Sequence, residues 1–297
     1  MCIRDSTGLT QLTSYDVQVR AVCTGGTQGG GSSSEYTSIS TFITLQAPCE
    51  VIPYTVISAR VFLDGAYRTA NGLMVDSLRA LGQLPLTEPY TALGHTVSGP
   101  NTTTAGVLST TGNNAPVDWV LLELRESSAP YAVQEARVGL VQRDGDIVAP
   151  DGSSPLGFCE PPGTYRVSVR HRNHFGCMTG SGVPLNGTAA QVDFTLSGTT
   201  TYGTNAQRTV GSVRALWSGN VVVDDILMYI GFGNDRDPIL LAIGGTIPTN
   251  VVPGNYAISD VNMDGQIKYV GQDNDRDPIL SNVGGSVPTN TIVEQLP

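Results

Sequence analysis

The chain has 297 residues, enough for two or three domains, with only 14% charged residues and abundant Gly, Ser and Thr. Sixteen basic residues against 26 acidic ones leave a net charge of −10, which argues against a nucleic-acid partner. No apolar run approaches the ~20 residues that span a bilayer, and the N-terminus lacks the basic and apolar segments of a signal peptide.

In chain order, Met1-Cys-Ile-Arg-Asp-Ser6 resembles the translation of a sequencing adapter. On that reading the chain is a fragment, and its secretion signal lies upstream. Residues 7–45 follow with period-2 alternation at Leu12, Tyr15, Val17, Val19 and Ala21, and a second strand-like run at Ser38–Thr44. Together these resemble the C-terminal part of a fibronectin type III domain. A linker occupies 46–53.

Residues 54–198 read as a β-sandwich domain. Strands are expected over Thr55–Leu63, Val117–Arg125, Arg137–Gln142, Asp146–Val148, Tyr165–Arg170 and Gln191–Leu196, with a hairpin turn at Arg143–Asp146. Neither face of Val117–Arg125 is purely polar, as expected of a central strand. Asn71–Gly82 carries a helical apolar stripe at Leu73, Met74, Leu78 and Leu81, and ends on Gly. Pro161–Arg170 resembles the strand after a Pro-Gly turn in immunoglobulin-like sandwiches. The densest polar run is Arg170-His-Arg-Asn-His174. If its strand continues, His171 and His174 fall on opposite faces, which is poor geometry for zinc.

Residues 199–297 contain an internal duplication. Tyr229–Asn250 and Tyr269–Asn290 agree at 14 of 22 positions at an offset of 40, including Asn-Asp-Arg-Asp-Pro-Ile-Leu. Ahead of the second copy stands Asp260-Val-Asn262-Met-Asp264-Gly265-Gln266, the opening of an EF-hand-type loop. Such loops supply oxygen ligands from positions 1, 3, 5 and 7, the last a backbone carbonyl, with Gly at 6. The expected cofactor is therefore calcium, held by Asp260, Asn262, Asp264 and the Gln266 carbonyl. Position 12 is Gly271, so Asp275 or Asp277 is expected to complete the shell. The first copy reads Asn220-Val-Val-Val-Asp224-Asp225 and lacks the turn glycine, so weaker binding is expected there through Asp224, Asp235 and Asp237. The alternative is that these acids only cap short helices, with Asp277-Pro278 as start and Gly284 as stop.

This unit resembles a type I dockerin, over repeats 220–250 and 260–290. The run 60–297 further resembles a C-terminal region of large secreted bacterial surface proteins called haemagglutinin-like. The phrases Leu84–Tyr90, Val117–Val120, Arg170–Gly176 and the duplicated Asp-Arg-Asp-Pro carry that resemblance. It implies a mainly β protein at the cell surface, non-catalytic, structural or adhesive, with a surface protein or carbohydrate as ligand. A protein-docking module and an accessory domain of a secreted hydrolase remain alternatives. No Gly-x-Ser-x-Gly, phosphate loop or His-Glu-x-x-His is found. Setting Cys2 aside, order in the chain suggests disulfides Cys23–Cys49 and Cys159–Cys177.

Overall fold

The computed structural model describes residues 14–18, 22–23, 32–43 and 54–297. The chain divides into two compact units, 1–52 and 53–297. In the first, β1 (Ser14–Val17) pairs antiparallel with β4 (Ser40–Ile43), Tyr15 opposite Phe42, and β2 (Val22–Cys23) pairs with β3 (Ser32–Ser33). The sequencing-adapter reading of residues 1–6 and the Cys23–Cys49 pairing fall outside what is described.

The second unit is mainly β. Its sheet is built from β5 (Thr55–Arg60), β8 (Pro116–Glu126), β9 (Val133–Gln142), β10 (Asp146–Val148), β11 (Leu156–Phe158), β12 (Gly163–His171) and β13 (His174–Met178). They lie in the order β11-β5-β10-β9-β8-β12-β13. β14 (Val183–Leu185) adds antiparallel to β12, and β15 (Ala190–Asp193) adds parallel to β5. β8 is central, flanked by β9 and β12, and buried on both faces from Pro116 to Arg125. That is why its alternation never becomes purely polar. The turn between β9 and β10 closes with Gly145 at φ 94°, donating to the Gln142 carbonyl.

The stretch 71–82 is not one helix. Gly72, at φ 70°, turns the chain so that β7 (Leu73–Met74) pairs with β6 (Tyr67–Arg68), and only α1 (Ser77–Ala80) is helical. The apolar residues that mimic a helical stripe are shared between a strand and a turn of helix. The Cys159–Cys177 pairing is also corrected. Cys159 follows β11 and Cys177 lies in β13, at opposite ends of the strand order. Cys177 is a free, buried thiol, whereas Cys159 is disulfide-bonded elsewhere.

After α2 (Ala105–Leu108) and the hairpin of β16 (Arg208–Val210) with β17 (Val213–Ala215), the duplicated segment forms two matching strand–helix–strand units. The first is β18 (Ile226–Met228), α3 (Arg236–Ala242) and β19 (Val251–Pro253). The second is β20 (Gln266–Lys268), α4 (Arg276–Asn282) and β21 (Thr291–Val293). β18 pairs with β21, and β19 with β20, both antiparallel. The registers Leu227↔Ile292 and Val252↔Ile267 interchange when each residue is replaced by its duplicate. The two copies are thus related by a local pseudo-two-fold axis, each supplying one strand to each ribbon.

This module and the sheet exchange core residues. Met263, from the second copy's loop, is buried in the sheet's core with Leu216 and Ala215, while Phe175 of β13 is buried among Ile239, Ile279 and Leu227 of the repeats. Among the described residues no helix is long and apolar enough to cross a membrane.

Candidate functional site: the duplicated acidic loops and the hairpin between them

The loop 260–266 wraps around its own first side chain. Asp260 Oδ1 accepts from the Asp264 amide (3.1 Å) and Oδ2 from the Gly265 amide (2.9 Å), while Asp264 Oδ1 accepts from the Gln266 amide (2.8 Å). Met263 (φ 58°) and Gly265 (φ 86°) make the two left-handed turns that the wrap needs. Asn262 donates to the Asp273 carbonyl (2.7 Å) and approaches Asp264 Oδ2 (3.3 Å).

Asp275 clamps this loop from the helix side. Its Oδ1 accepts from Val261 (2.7 Å) and Asn262 (3.2 Å), and its Oδ2 from Lys268 (2.8 Å). Asp277 does something else. Its Oδ2 accepts from Asn274 Nδ2 (2.8 Å), its Oδ1 pairs with Arg276, and its carboxylate is 57% exposed. Asn274 Oδ1 accepts the Asp277 amide (2.9 Å), so Asn274 is the side chain that caps α4. The structure therefore brings Asp260, Asn262, Asp264 and Asp275 to one loop and places Asp277 at the helix start. Gln266 contributes an exposed side chain and a strand position opposite Pro253.

The first copy repeats the same frame. Asp235 accepts from Val221 (2.9 Å), Val222 (3.0 Å) and Met228 (2.8 Å), and Asn234 with Asp237 caps α3. Asn220 Oδ1 takes the role of Asp260, accepting from the Asp224 amide (3.1 Å), and Asp224 accepts from Ile226 (2.9 Å). A neutral side chain at position 1 therefore suffices to form the wrap. What separates the copies is charge. Burial pushes Asp260 up to about 7, opposed by Arg172 and reinforced by Asp264. Burial pushes Asp275 up to about 8, with the Asp260 carboxylate adding to it. Burial raises Asp235 only to about 6. Two neighbouring carboxylates, each 0% exposed, thus lie in the second copy where the first has one. Among the described residues no three His, Cys, Asp or Glu side chains are gathered as a metal cluster. Asp264 and Asp277 also reach an open polar cleft of about 650 Å³ that includes Asp64 and Arg208.

Between the two loops stands the tip of the β12–β13 hairpin, which the sequence reading treated as a continuing strand. Arg172 and Asn173 are its turn, so His171 and His174 face each other as partners. Their Nδ1 atoms are 2.9 Å apart. This overturns the expectation that the two rings point to opposite faces. Asn173 joins both copies at the same place in each. Its carbonyl accepts from Gly219 (3.0 Å) and Asn220 (3.1 Å), and its Nδ2 donates to the carbonyls of Ile258 (3.0 Å) and Asp260 (2.9 Å). Arg172 donates to Asp118 Oδ2 (3.0 Å) and the Ala257 carbonyl (2.5 Å) and stacks 4.3 Å from the Tyr256 ring. Asp118 also receives Tyr256 Oη (2.5 Å) and His171 Nε2 (3.1 Å). Although burial opposes its ionisation, Arg172 and then His171 outweigh that and hold Asp118 at about 2. Sequence reasoning gave no role to Asp118, Asn173 or Tyr256. The only signal was a charged residue inside an apolar central strand and a polar run too short to show its turn.

No protein family, no curated protein and no solved structure matches this chain.

Proposed function

We propose that residues 54–297 are a non-catalytic, structural or adhesive part of an extracellular surface protein, an immunoglobulin-like β-sandwich whose duplicated C-terminal module is stabilised by calcium. One observation carries this reading. Asp260 and Asp275 are buried in neighbouring positions, and burial pushes both towards neutral protonation, with the Asp260 carboxylate adding to the shift of Asp275. A hard divalent cation would neutralise them, with Asp260, Asn262, Asp264 and the Gln266 carbonyl as ligands and Asp275 behind them. Asp277 is better occupied with Asn274 and Arg276, and Asp224, Asp235 and Asp237 form the weaker first-copy set. A structural role is also supported by the hairpin tip, whose side chains are spent on holding backbone groups together.

The test is a pair of melting curves of the whole chain at pH 7.5, with calcium and with chelator. Calcium at a hundred times its dissociation constant adds about 2.7 kcal/mol. For a unit of this size that is a rise of roughly 5–11 °C. Superimposable curves would remove calcium and leave the acids as loop clamps and caps.

A docking module is the second reading, and Leu241 favours it. This side chain on α3 is 72% exposed where the second copy has Ser281. On that reading Leu241→Ser leaves the melting curve in place and abolishes binding of a cohesin-type domain.

A further inference from the structure

The hairpin tip holds a hydrogen-bond chain that admits one protonation pattern. The Gly65 amide donates to His174 Nε2 (3.1 Å), so that nitrogen carries a lone pair and the His174 proton is on Nδ1. From there it points to His171 Nδ1 (2.9 Å) and Asn173 Oδ1 (2.8 Å). His171 Nδ1 is thereby an acceptor, and its proton sits on Nε2, facing Asp118 Oδ2 (3.1 Å). Both imidazoles are neutral, in opposite tautomers, and every ring nitrogen is used.

A third proton cannot be added without loss. On His171 it would occupy Nδ1 and oppose the Nδ1–H of His174. His174 could yield only by moving its own proton to Nε2, which then meets the Gly65 amide head-on. Added directly to His174, the proton meets the same amide. Either route breaks the Gly65 bond. Gly65 is where the turn after β5 touches the second copy's loop. A Cβ there would lie 2.0 Å from the Val261 carbonyl oxygen, and Arg68 bridges the Gly65 carbonyl (2.8 Å) to that of Asn262 (3.4 Å).

We propose that His171 and His174 form an acid-sensitive latch. Protonation of the pair releases Gly65, and with it the contact between the sheet's turn and the second copy's loop.

The surroundings set the sign. Asp118 on β8 favours an imidazolium, whereas Arg172 beside the rings opposes it. Tyr90 and Tyr256 approach through Asp118 and Arg172 and remain neutral. A cavity of about 140 Å³ next to the rings brings in Arg170, His95, Asp224, Asp225 and Glu294, of which Arg170 already pairs with Glu123 and Glu294. Burial dominates, and both histidines are lowered from their ordinary value, His174 the further. A group depressed in the closed form and ordinary in the open form takes up its proton on opening. Closure is therefore complete above about pH 6.5 and weakens about tenfold per pH unit below it, for each histidine freed.

The experiment is amide exchange of the full chain, in chelator, read at 62–66 and 258–262 from pH 7.5 to 5.0 as protection factors, for the unmutated protein and His174→Gln. Glutamine keeps an acceptor for Gly65 and cannot titrate. Asp260 and Asp275 titrate with the opposite sign but, like His171, are common to both proteins, so the ratio of the two isolates the His174 imidazole. The expected ratio levels off above pH 6.5 and falls about fivefold from 6.5 to 5.5. A constant ratio overturns the latch. Should His174→Gln not fold, nitrogen spectra of the imidazoles decide the matter. The expected pattern is Nε2–H on His171 and Nδ1–H on His174 at pH 7.5. A doubly protonated ring at pH 6 with Gly65 still protected overturns the proposal.

Discussion

Asp275 and Asp277 are two residues apart and equivalent as candidate ligands on paper, yet their surroundings predict opposite outcomes on truncation. Asp275→Ala removes the acceptor of three backbone amides, those of Val261, Asn262 and Lys268, at a site with 0% exposure. Each buried amide left unpaired costs about 1–3 kcal/mol. Relaxation and water entry recover part of this, and so does the loss of a carboxylate that burial already penalises, leaving a net cost of about 3 kcal/mol. That corresponds to a fall of roughly 6–12 °C in melting temperature. Asp277→Ala removes an exposed pairing with Arg276 and one side-chain contact with Asn274, worth below about 1 kcal/mol. Its Tm should move by no more than about 4 °C. Differential scanning calorimetry of the full chain in chelator measures both. Equal falls, or a larger fall for Asp277→Ala, would mean that the clamp does not hold the loop.

Three further outcomes are expected. Without calcium, Asp260 and Asp275 titrate in the folded chain at about 7 and 8, above the range near 4 of the unfolded chain, so their contribution is full at low pH and lost as pH rises through 7–8. The chelated protein should therefore melt higher at pH 6.5 than at pH 8.5, and the gain from calcium should be larger at 8.5; a gain independent of pH would contradict the buried-pair argument. Gly65→Ala places a methyl group 2.0 Å from the Val261 oxygen and should cost about 2 kcal/mol or more, read as lost exchange protection at 258–262 ahead of the sheet. Tyr256→Phe removes one donor from Asp118, which keeps Arg172, His171 and the Trp119 amide, so a loss of about 1–2 kcal/mol in urea unfolding is expected, and a much larger loss would show that Tyr256 carries the junction.

Much of the sheet could be read from the sequence, because alternation reports burial directly. The runs that became β5, β8, β9, β10 and β12 show it, and Gly145 marks its turn. The duplication was legible because 14 of 22 positions repeat at a fixed offset, whereas the use of its oxygen side chains to accept backbone amides has no signature of its own. The hairpin tip was not. Its turn residues, Arg172 and Asn173, bear long or polar side chains that any strand end could carry, and they are held by distant carbonyls at Ala257, Ile258 and Asp260. Local pattern cannot report a turn made by tertiary contacts. The cysteine pairing failed for a related reason. Proximity along the chain says little about position across a sheet whose order is not sequential.

The duplication itself shows which residues the fold requires and which are free to specialise. The identities in Asn-Asp-Arg-Asp-Pro-Ile each have the same task in both copies. Asn234 and Asn274 cap, Asp235 and Asp275 clamp, Arg236 and Arg276 lie 5.1 Å over Tyr229 and Tyr269, and Ile239 and Ile279 fill the shared core. The differences fall where the pseudo-symmetric surroundings differ. Met263 is buried in the sheet's core, and its counterpart Val223 is 49% exposed. Asn282 is buried against Ser218 (2.8 Å) and Asp64 (3.2 Å), and its counterpart Ala242 is exposed. The second copy's loop and helix are thus buried more fully against the sheet than those of the first, and that copy also carries the extra buried carboxylate at Asp260. If calcium binds as proposed, a loop fixed on one side by Gly65 and Asn173 would hold its acids together, and a cation would have more to neutralise there than in the first copy, where Asn220 keeps the wrap without charge.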